Sequence, residues 1–329
     1  MTDDQRNIRL VFCADPLNKR QIDAVYESEA AAASTQGLAY NLLDFEALVD
    51  DGNAVHAVRR VAVQPQPERG IYRGWMLRPE QYALLFSALG DRGIKLINDP
   101  DAYRRCHYLP EWYAVLEDVT PRSVWIATGP EVSIERVMDL LTVFGSAPVV
   151  LKDFVKSRKH EWEEACFIPS AADRGAVERV IHRFLELQGT DLAGGLVFRE
   201  FVEFEKLGHH PKSGMPLTRE FRLFFANHRL IACFPYWDDV AYGSTDIPLE
   251  QFQELAARVD SSFFTMDVAR RVDGSWLIVE LGDGQVAGLP EDASVPAFYA
   301  SLVAAITDGG QPWRRTDFQP PAPPIRAVH

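Results

Sequence analysis

The stretch FFTMDVARRVDGSWLIVELGDGQ, from Phe263 to Gln285, is typical of two β-strands joined by a two-residue Asp273-Gly274 turn. That turn places Asp267 directly opposite Glu280 on one face of the hairpin. Facing carboxylates destabilise a pair of strands, whereas a divalent cation bound between them stabilises it. The stretch therefore predicts a Mg²⁺ site, with a solvated hairpin that exposes its acidic face as the alternative.

The opposite face of this hairpin is apolar and is predicted to pack into a core. Its residues alternate with the acidic ones, because successive side chains of a strand point to opposite faces. We expect this face to consist of Phe264, Met266 and Val268 on the first strand and of Leu277, Val279 and Leu281 on the second. One face of the hairpin would then support the fold, while the other binds the metal ion.

The composition is that of an ordinary globular protein. The chain has 329 residues, of which 47% are hydrophobic and 25% are charged. This length predicts about two domains. The formal net charge of −13 argues against broad electrostatic binding to nucleic acid or to a membrane, but it allows a local basic pocket.

The cysteines and the apolar segments indicate a cytoplasmic protein. Cys13, Cys106, Cys166 and Cys233 are scattered and form no CxxC pair, so neither a disulfide framework nor a zinc site is expected. The N-terminal sequence MTDDQRNIRLVF lacks the apolar region of a secretory signal. No apolar run approaches the roughly 18 residues that a membrane-spanning helix needs.

About the first hundred residues alternate strands with helices, a pattern typical of a parallel sheet with crossover connections. The strand-like segments are Ile8–Ala14, Leu38–Leu43, Gly70–Leu77 and Ile94–Asn98. Strands and helices then follow in mixed order, with one hairpin around Asn227-His228 and the acidic hairpin near the end. The predicted fold class is α/β, with an α+β arrangement in the C-terminal half.

Two basic elements lie close together in the middle of the chain. Lys152 lies inside the apolar strand VVLKDF, where a lysine needs either a charged partner, such as a phosphate, or a strand edge from which it reaches solvent. The loop Lys156-Ser157-Arg158-Lys159-His160 follows directly. Three cations and a hydroxyl suit the binding of a triphosphate, with a solvated loop as the alternative.

Two further strands carry candidate binding groups. LVFREFVEFE (Leu196–Glu205) alternates strictly; the backbone after Glu200 could pair with an adenine edge, and Glu203 or Glu205 could accept a ribose hydroxyl. In REFRLFF (Arg219–Phe225), Glu220 and Arg222 share one face and Arg219 lies on the other. An arginine beside a metal-bound triphosphate would stabilise charge during phosphoryl transfer, although a buried Glu–Arg pair could equally be structural.

The order of these elements resembles the ATP-grasp superfamily: a lysine strand, a basic loop, an acidic linker strand, an arginine strand, and the Asp and Glu strands. The resemblance spans about residues 8–307. It is closest to an arginine- and lysine-rich clade of bacterial and phage-associated ATP-grasp proteins. The stretches that carry it are YRGWML (Tyr72–Leu77), LINDPDAY (Leu96–Tyr103), KDFVKSRKHEW (Lys152–Trp162), REFRLFF and VELGDGQVAGL (Val279–Leu289).

The resemblance implies a role for each candidate residue toward ATP and Mg²⁺. Catalysis would involve Lys152, Arg219 and Arg222, the arginines facing the γ-phosphate or acylphosphate. The residues that bind ATP would be Lys152, Lys156, Ser157 and Lys159 at the phosphates, Glu200, Phe201 and Val202 at the adenine, and Glu203 or Glu205 at the ribose. Asp267 and Glu280 would bind Mg²⁺.

Two departures from the superfamily pattern affect these roles. The loop 157–165 contains no glycine, so side chains must replace the backbone amides of a glycine-rich phosphate loop. An Asn often follows two residues after the metal-binding Glu, but that position is Gly282. The third metal ligand would therefore be Asp283, Gln285 or a water molecule.

The resemblance also implies the domain organisation. The expected fold is an ATP-grasp fold with an N-terminal parallel-sheet domain over residues 1–108. A central subdomain covers 109–195, a C-terminal subdomain with the metal hairpin covers 196–308, and a Pro-rich tail covers 309–329. Arg73 and Asn98, at strand ends of the first domain, are candidates for substrate binding, with strand-end capping as the alternative.

The predicted function is that of an ATP-dependent carboxylate–amine ligase which forms an acylphosphate and releases ADP and phosphate. Its partners would be a carboxylate and an amine, as small molecule, peptide or protein, with neither nucleic acid nor membrane involved. A kinase-like phosphotransferase and a non-catalytic nucleotide-binding regulator are the alternatives. A covalent nucleotidyltransferase that uses Lys152 is disfavoured, because the K-x-D-G motif is absent.

Overall fold

The N-terminal part of the computed structural model is a four-stranded parallel sheet, as the sequence predicts. The structure describes residues 7–128, 132–209, 215–237, 240–242 and 246–307. The sheet has the order β2-β1-β3-β4 and consists of β1 (Ile8–Cys13), β2 (Ala39–Leu43), β3 (Glu68–Arg73) and β4 (Ile94–Leu96). The connecting helices are α1 (Glu27–Thr35), α2 (Phe45–Val49), α3 (Ala54–Ala57) and α4 (Pro79–Gly90).

Two helices then lead from the first sheet to the rest of the molecule. They are α5 (Pro100–His107) and α6 (Leu109–Leu116). Each has a proline within its first turn, where the missing N–H costs no helical hydrogen bond. Cys106, Leu109 and Trp112 are buried in the core that lies against the C-terminal sheet. The two helices therefore join the N-terminal sheet to the acidic hairpin.

The central subdomain is an antiparallel sheet of order β5-β8-β6-β7. Its elements are β5 (Ser123–Ala127), α7 (Ile134–Leu141), β6 (Val149–Asp153), α8 (Trp162–Ala165), β7 (Phe167–Ile168), α9 (Arg174–Gln188) and β8 (Gly195–Glu200). The boundary predicted between residues 195 and 196 is wrong for this sheet, because β8 lies between β5 and β6. An internal strand belongs to the layer with which it shares hydrogen bonds, although it directly precedes the linker in sequence.

The C-terminal subdomain contains a second antiparallel sheet, of order β12-β11-β13-β14, and a separate two-stranded sheet. The elements are β9 (Lys206–His209), β10 (Pro216–Thr218), β11 (Glu220–Ala226), β12 (Arg229–Pro235), α10 (Leu249–Ala256), β13 (Phe263–Arg270), β14 (Trp276–Asp283) and α11 (Val295–Thr307). Asn227 and His228 both have positive φ, as the predicted tight hairpin turn between β11 and β12 requires.

The acidic hairpin has the predicted facing pair but not the predicted turn. Asp267 lies opposite Glu280, yet Arg271 pairs with Ser275, so the loop has three residues and ends at Gly274 with φ of 88°. A β-bulge at Asp267/Val268 then shifts the register by one residue and restores the predicted pairing.

The bulge also changes which residues of β14 enter the core. Ile278 is fully buried, whereas Leu277 and Val279 are only half-buried, so the predicted core face is wrong at those two positions. Phe264, Met266 and Val268 are fully buried, as predicted.

Three hydrophobic cores hold these layers together. The N-terminal core extends through Phe224, Phe263 and Phe298 onto the back of the C-terminal sheet, so the first and last layers share one core. A second core fills the other side of that sheet, and the third lies between the central sheet and its helices. Among the helices of the described ranges, none is long and apolar enough to cross a membrane.

Candidate active site

The facing carboxylates of the hairpin each form an ion pair with a cation from another strand. Arg222 on β11 binds Asp267 through two hydrogen bonds, Nε to Oδ1 at 2.8 Å and Nη2 to Oδ2 at 2.7 Å. Lys152 on β6 donates from Nζ to Glu280 Oε1 at 2.7 Å. The two ion pairs therefore neutralise the predicted repulsion and connect the central sheet with the C-terminal sheet.

Lys152 is not the edge lysine of the alternative interpretation. Strand β6 lies between β8 and β7, and the Lys152 side chain is only 8% exposed. Burial disfavours the charged form of Glu280, but Lys152 and Lys159 nevertheless hold its pKa below the usual value. A buried lysine on an inner strand, bound to a carboxylate that borders a cavity, fits a residue that can also bind an anion.

A second buried carboxylate and two aromatic side chains complete this charged cluster. Lys159 Nζ lies 5.1 Å from the ring centre of Tyr236 and 5.6 Å from that of Trp237. Although burial opposes it, Tyr236 and Glu220 raise the pKa of Lys159, which therefore stays protonated. Burial raises the pKa of Glu220 to about 7.

The role of this aromatic and acidic pair could hardly be found in the sequence. Glu220 shares a strand face with Arg222, which is a weak signal because a structural Glu–Arg pair gives the same pattern. Tyr236 and Trp237 follow β12 without any motif. Their proximity to Lys159 depends entirely on how the phosphate loop folds over the sheet.

Two adjoining cavities meet at these ion pairs. One, of about 180 Å³, is largely apolar and is bordered by Val150, Trp162, Phe201, Met215 and Trp237. The other, of about 280 Å³, is bordered by Lys156, His160, Arg222, Tyr236, Thr265 and Asp267. Ser157, Lys159 and Glu280 border both. An apolar slot beside a polar, doubly charged one matches a nucleotide with a base at one end and phosphates at the other.

The predicted adenine-binding segment borders the apolar cavity, with one correction. Glu200, Phe201 and Val202 all line it, and the Phe201 ring lies 5.1 Å from that of Phe167. However, the Phe201 N–H donates to the Pro148 carbonyl at 3.1 Å, so it is not free to bind a base. Any adenine contact of Phe201 must come from its ring or its carbonyl oxygen.

The two glutamates proposed for the ribose have different surroundings. Glu203 is exposed and lines the apolar cavity. Glu205 instead accepts hydrogen bonds from Arg219 at 2.9 Å and Arg270 at 3.0 Å, and the bond from Arg219 lowers its pKa. This arrangement favours Glu203 over Glu205 as the ribose ligand, because Glu205 is occupied within the protein.

The predicted arginine pair is divided by the structure. Arg222 borders the polar cavity, and its guanidinium lies 5.1 Å from the ring centre of Tyr236. Arg219 binds Glu205 and the Tyr242 carbonyl on the other face of the sheet. The prediction that Arg219 faces the γ-phosphate is therefore not supported in this conformation, because alternation along the chain directs the two side chains apart.

Arg73 and Asn98 connect layers of the protein rather than lining the site. Arg73 is 1% exposed; it binds both oxygens of Glu29, at 2.8 and 2.9 Å, and the carbonyls of Gly284 and Ala287. Asn98 donates to the Phe263 carbonyl and to Asp283, and its oxygen accepts from two backbone N–H groups. Their predicted substrate contacts are corrected to structural ones, since their polar groups are already bound.

The third predicted metal ligand is also bound within the protein. Asp283 is fully buried, accepts hydrogen bonds from Asn98 at 2.6 Å and from the Gln285 N–H at 2.9 Å, and has its pKa raised to about 6 by burial. Gln285 binds Tyr82 and the Tyr72 N–H. Over the described residues, no three His, Cys, Asp or Glu side chains converge as a metal cluster.

Gly282 and Thr265 explain why the expected asparagine is missing. The two residues face each other, and a Cβ at position 282 would lie 2.8 Å from the Thr265 hydroxyl. The threonine therefore fills the space that a side chain at 282 would need. Two facing carboxylates, a nearby hydroxyl and room for water and phosphate oxygens suit Mg²⁺, which is often held by only one or two protein carboxylates.

The β-bulge that places Glu280 is held from the central sheet. Arg199 on β8 donates to the carbonyl oxygens of Ile278 and Val279, and the Thr120 hydroxyl also donates to Ile278. Arg199 is 7% exposed and borders the apolar cavity. Strand β14 is the last of its sheet, and side chains from the central subdomain thus fix its outer edge.

Comparison with known proteins identifies this arrangement. Residues 143–302 match the sequence model of a family described as an ATP-grasp domain, the third family of its clade. No curated protein matches the chain. Together with the fold and the structural similarities below, the match shows that the chain belongs to the ATP-grasp superfamily.

Solved structures share the fold over nearly the whole chain at low sequence identity. The D-cycloserine synthetase DcsG is 15% identical, with a TM-score of 0.58 over 91% of this chain and 100% of that one. The RimK domain ATP-grasp protein from Sphaerobacter thermophilus is 16% identical, with a TM-score of 0.55 over 90% and 99%. The ATP-grasp ligase PsnB is 14% identical, with a TM-score of 0.53 over 93% and 100%.

Proposed function

We propose that this protein is an ATP-dependent carboxylate–amine ligase that forms an amide through an acylphosphate and releases ADP and phosphate. The observation that carries the proposal is the facing pair Asp267 and Glu280 at the junction of an apolar and a basic cavity. That junction suits the triphosphate of a bound nucleotide, with its base in the apolar cavity.

The residues present can hold both ATP and Mg²⁺. The base would lie against Phe201 and Trp162, and Glu203 would accept a ribose hydroxyl. Asp267 and Glu280 would hold Mg²⁺, with water or the Thr265 hydroxyl in place of a third carboxylate. When bound, the ion neutralises phosphate charge. Lys152 and Lys159 would then exchange their present carboxylate partners for phosphate oxygens, which keeps the buried charge balanced.

The reaction asks the chain mainly to position groups and to stabilise charge. A substrate carboxylate oxygen bonds to the γ-phosphorus, and the bond to the β-phosphate oxygen breaks to leave ADP. Arg222 would bind the transferred phosphoryl oxygens, since its planar donors match them. An amine then bonds to the acyl carbon, the C–O bond to phosphate breaks, and the amine proton ends on the phosphate.

The names of similar proteins are consistent with this reaction class. They include an ATP-grasp ligase solved with a precursor peptide, a D-cycloserine synthetase and an N5-carboxyaminoimidazole synthetase from Staphylococcus aureus. One structure of the peptide ligase contains Mg and ADP. We therefore propose a peptide or a small molecule as the substrate, without nucleic acid or membrane, and a cytoplasmic location, since all four cysteines are free and buried.

The decisive experiment is ATP turnover against pooled carboxylates and amines, with products identified by mass. We expect ADP, phosphate and an amide, and a hydroxamate when hydroxylamine replaces the amine. Lys152→Met should weaken binding of a non-hydrolysable ATP analogue by about tenfold or more, the value of a charge-assisted contact.

Other products would identify other functions. A stable phosphorylated product would establish the kinase alternative. AMP with pyrophosphate would refute the acylphosphate route. Failure to bind nucleotide at millimolar concentration with Mg²⁺ would leave only a structural role for the two ion pairs.

A further inference from the structure

His107 is a buried histidine at the border of the site, and its ring is half used. It is the last residue of α5, and its Nδ1 lies 2.9 Å from the Tyr103 carbonyl oxygen in the preceding turn. A carbonyl can only accept, so Nδ1 carries the proton and Nε2 has a free lone pair. Within the described ranges, Nε2 is buried without any hydrogen-bond partner.

An unpartnered buried ring nitrogen calls for an explanation, because it costs about 1–3 kcal/mol. His107 borders two cavities at once, the polar cavity of the acidic pair and a larger one of about 850 Å³. Its charged neighbours, Glu280 and Lys156, come from opposite sides of the site. The imidazole therefore lies where the phosphate end of the nucleotide site adjoins the larger cavity.

The larger cavity is formed between the N-terminal layer and the central subdomain. It is bordered by Met76, Arg78, Tyr108, Lys156, Arg158 and Asp191. Arg78 closes one side, with a hydrogen bond of 2.7 Å to the Thr190 carbonyl and an ion pair of 3.4 Å to Asp191. Its volume far exceeds what ammonia needs, and mixed charged and apolar walls suit an amino acid or the end of a peptide.

We propose that this larger cavity binds the amine substrate, as an amino acid or peptide, and that His107 Nε2 accepts a hydrogen bond from its attacking nitrogen. This inference rests on the proposed ligase function and adds the second substrate's site to it. The hydrogen bond directs the nitrogen lone pair toward the acyl carbon. Burial lowers the pKa of His107 to about 4, which keeps the ring neutral and able to accept.

The proton balance of the step is simple. The amine nitrogen bonds to the acyl carbon, and the electron pair of the C–O bond leaves with phosphate. The proton lost by nitrogen ends on the departing phosphate, so His107 undergoes no net change. His107 is thus a catalytic residue of the second step only, and the first step does not depend on it.

Two isosteric variants separate the ring nitrogens. His107→Asn keeps a donor near the Nδ1 position but removes the acceptor, whereas His107→Gln places its amide oxygen near the Nε2 position. With the carboxylate–amine pair found in the product screen, we expect His107→Asn to lower amide formation by about tenfold or more. Hydroxamate formation with hydroxylamine should stay within about twofold, and His107→Gln should recover much of the rate. His182→Gln, at an exposed histidine of α9, is the matched control.

A measurement on the wild-type protein avoids any question of folding or of substrate identity. Long-range ¹H–¹⁵N spectra should show His107 with the proton on Nδ1. Its Nε2 signal should move on addition of glycinamide to the Mg-ADP complex, while that of His182 does not. A proton on Nε2, or an unchanged Nε2 signal, would overturn the inference, as would equal loss of amide and hydroxamate in His107→Asn. Absence of any hydroxamate in the wild type would instead refute the ligase function itself.

Discussion

Arg73–Glu29 and Arg222–Asp267 are both two-pronged arginine–carboxylate pairs, and they differ in what surrounds them. Arg73 is 1% exposed, and its remaining donors bind backbone carbonyls of the segment after β14. Glu29 also accepts from the Tyr299 hydroxyl at 2.7 Å. The Arg222 side chain is 27% exposed, borders a cavity and has the aromatic ring of Tyr236 on its other side.

The comparison shows that saturation, rather than residue type, separates a structural pair from a functional one. The donors of Arg73 are used by three parts of the chain, so any ligand would have to break several bonds at once. Among the described residues, Arg222 and Lys152 each bind one carboxylate, which a cation could take over while phosphate replaces it. Four mutational tests, in order of decreasing expected effect, can break or sharpen this distinction.

Replacing Arg73 should damage the fold and spare the site. We expect Arg73→Met to destabilise the protein by about 3–5 kcal/mol, because Glu29 is left charged and buried. The measurement is urea unfolding, with ATP-analogue affinity measured on the fraction that remains folded. Adding Glu29→Leu should recover part of the loss, and wild-type stability in the single variant would contradict a structural role.

Replacing Glu280 should do the reverse. Glu280→Gln is expected to lower Mg²⁺-dependent turnover by about 10²–10³, the usual cost of losing one preorganised charge contact in a site. The protein should remain folded, and the Mg²⁺ concentration for half-maximal rate should rise. Glu254→Gln, at an exposed position of α10, is the control. An unchanged Mg²⁺ dependence would remove Glu280 from the metal site.

Glu220 should make stability depend on pH. Burial raises its folded-state pKa from 4.5 to about 7, so the unfolded chain ionises first as pH rises, and the folded state loses stability between about pH 4.5 and 7. Glu220→Gln removes this cost. We expect the variant to be more stable by up to about 3 kcal/mol above pH 7 and by little near pH 5, measured by denaturant unfolding at both values. Equal differences at both pH values would show that Glu220 is ionised throughout.

The two arginines of REFRLFF should differ in their effect on turnover. Arg222→Met is expected to lower turnover by about tenfold or more, through loss of charge-assisted contacts to phosphate. Arg219→Met should change turnover less than about twofold and stability by about 1 kcal/mol, because it removes a half-exposed ion pair with Glu205. Steady-state kinetics on both variants decide the matter, and a comparable loss in both would restore Arg219 to the site.

The acidic hairpin shows how a local pattern can give a correct result for an incomplete reason. The predicted two-residue turn is wrong by one residue, and the bulge at Asp267/Val268 compensates for it. Asp267 and Glu280 therefore face each other as predicted, whereas Ile278 enters the core in place of Leu277 and Val279. Bulges are stabilised by distant contacts, here Arg199 and Thr120, which no pattern within the hairpin can reveal.

The amino-acid sequence by itself determined the parallel N-terminal sheet, the ATP-grasp class, the facing carboxylates and the basic strand and loop that border the nucleotide cavities. These features follow from periodicity and residue order, which are local properties of the chain. The tertiary structure alone decided that Arg73 and Asn98 join layers, that Arg219 points away, that Glu220, Tyr236 and Thr265 border the site, and that His107 Nε2 lacks a partner among the described residues. Burial and hydrogen-bond saturation depend on residues far apart in sequence, so they can be read only once the layers are packed.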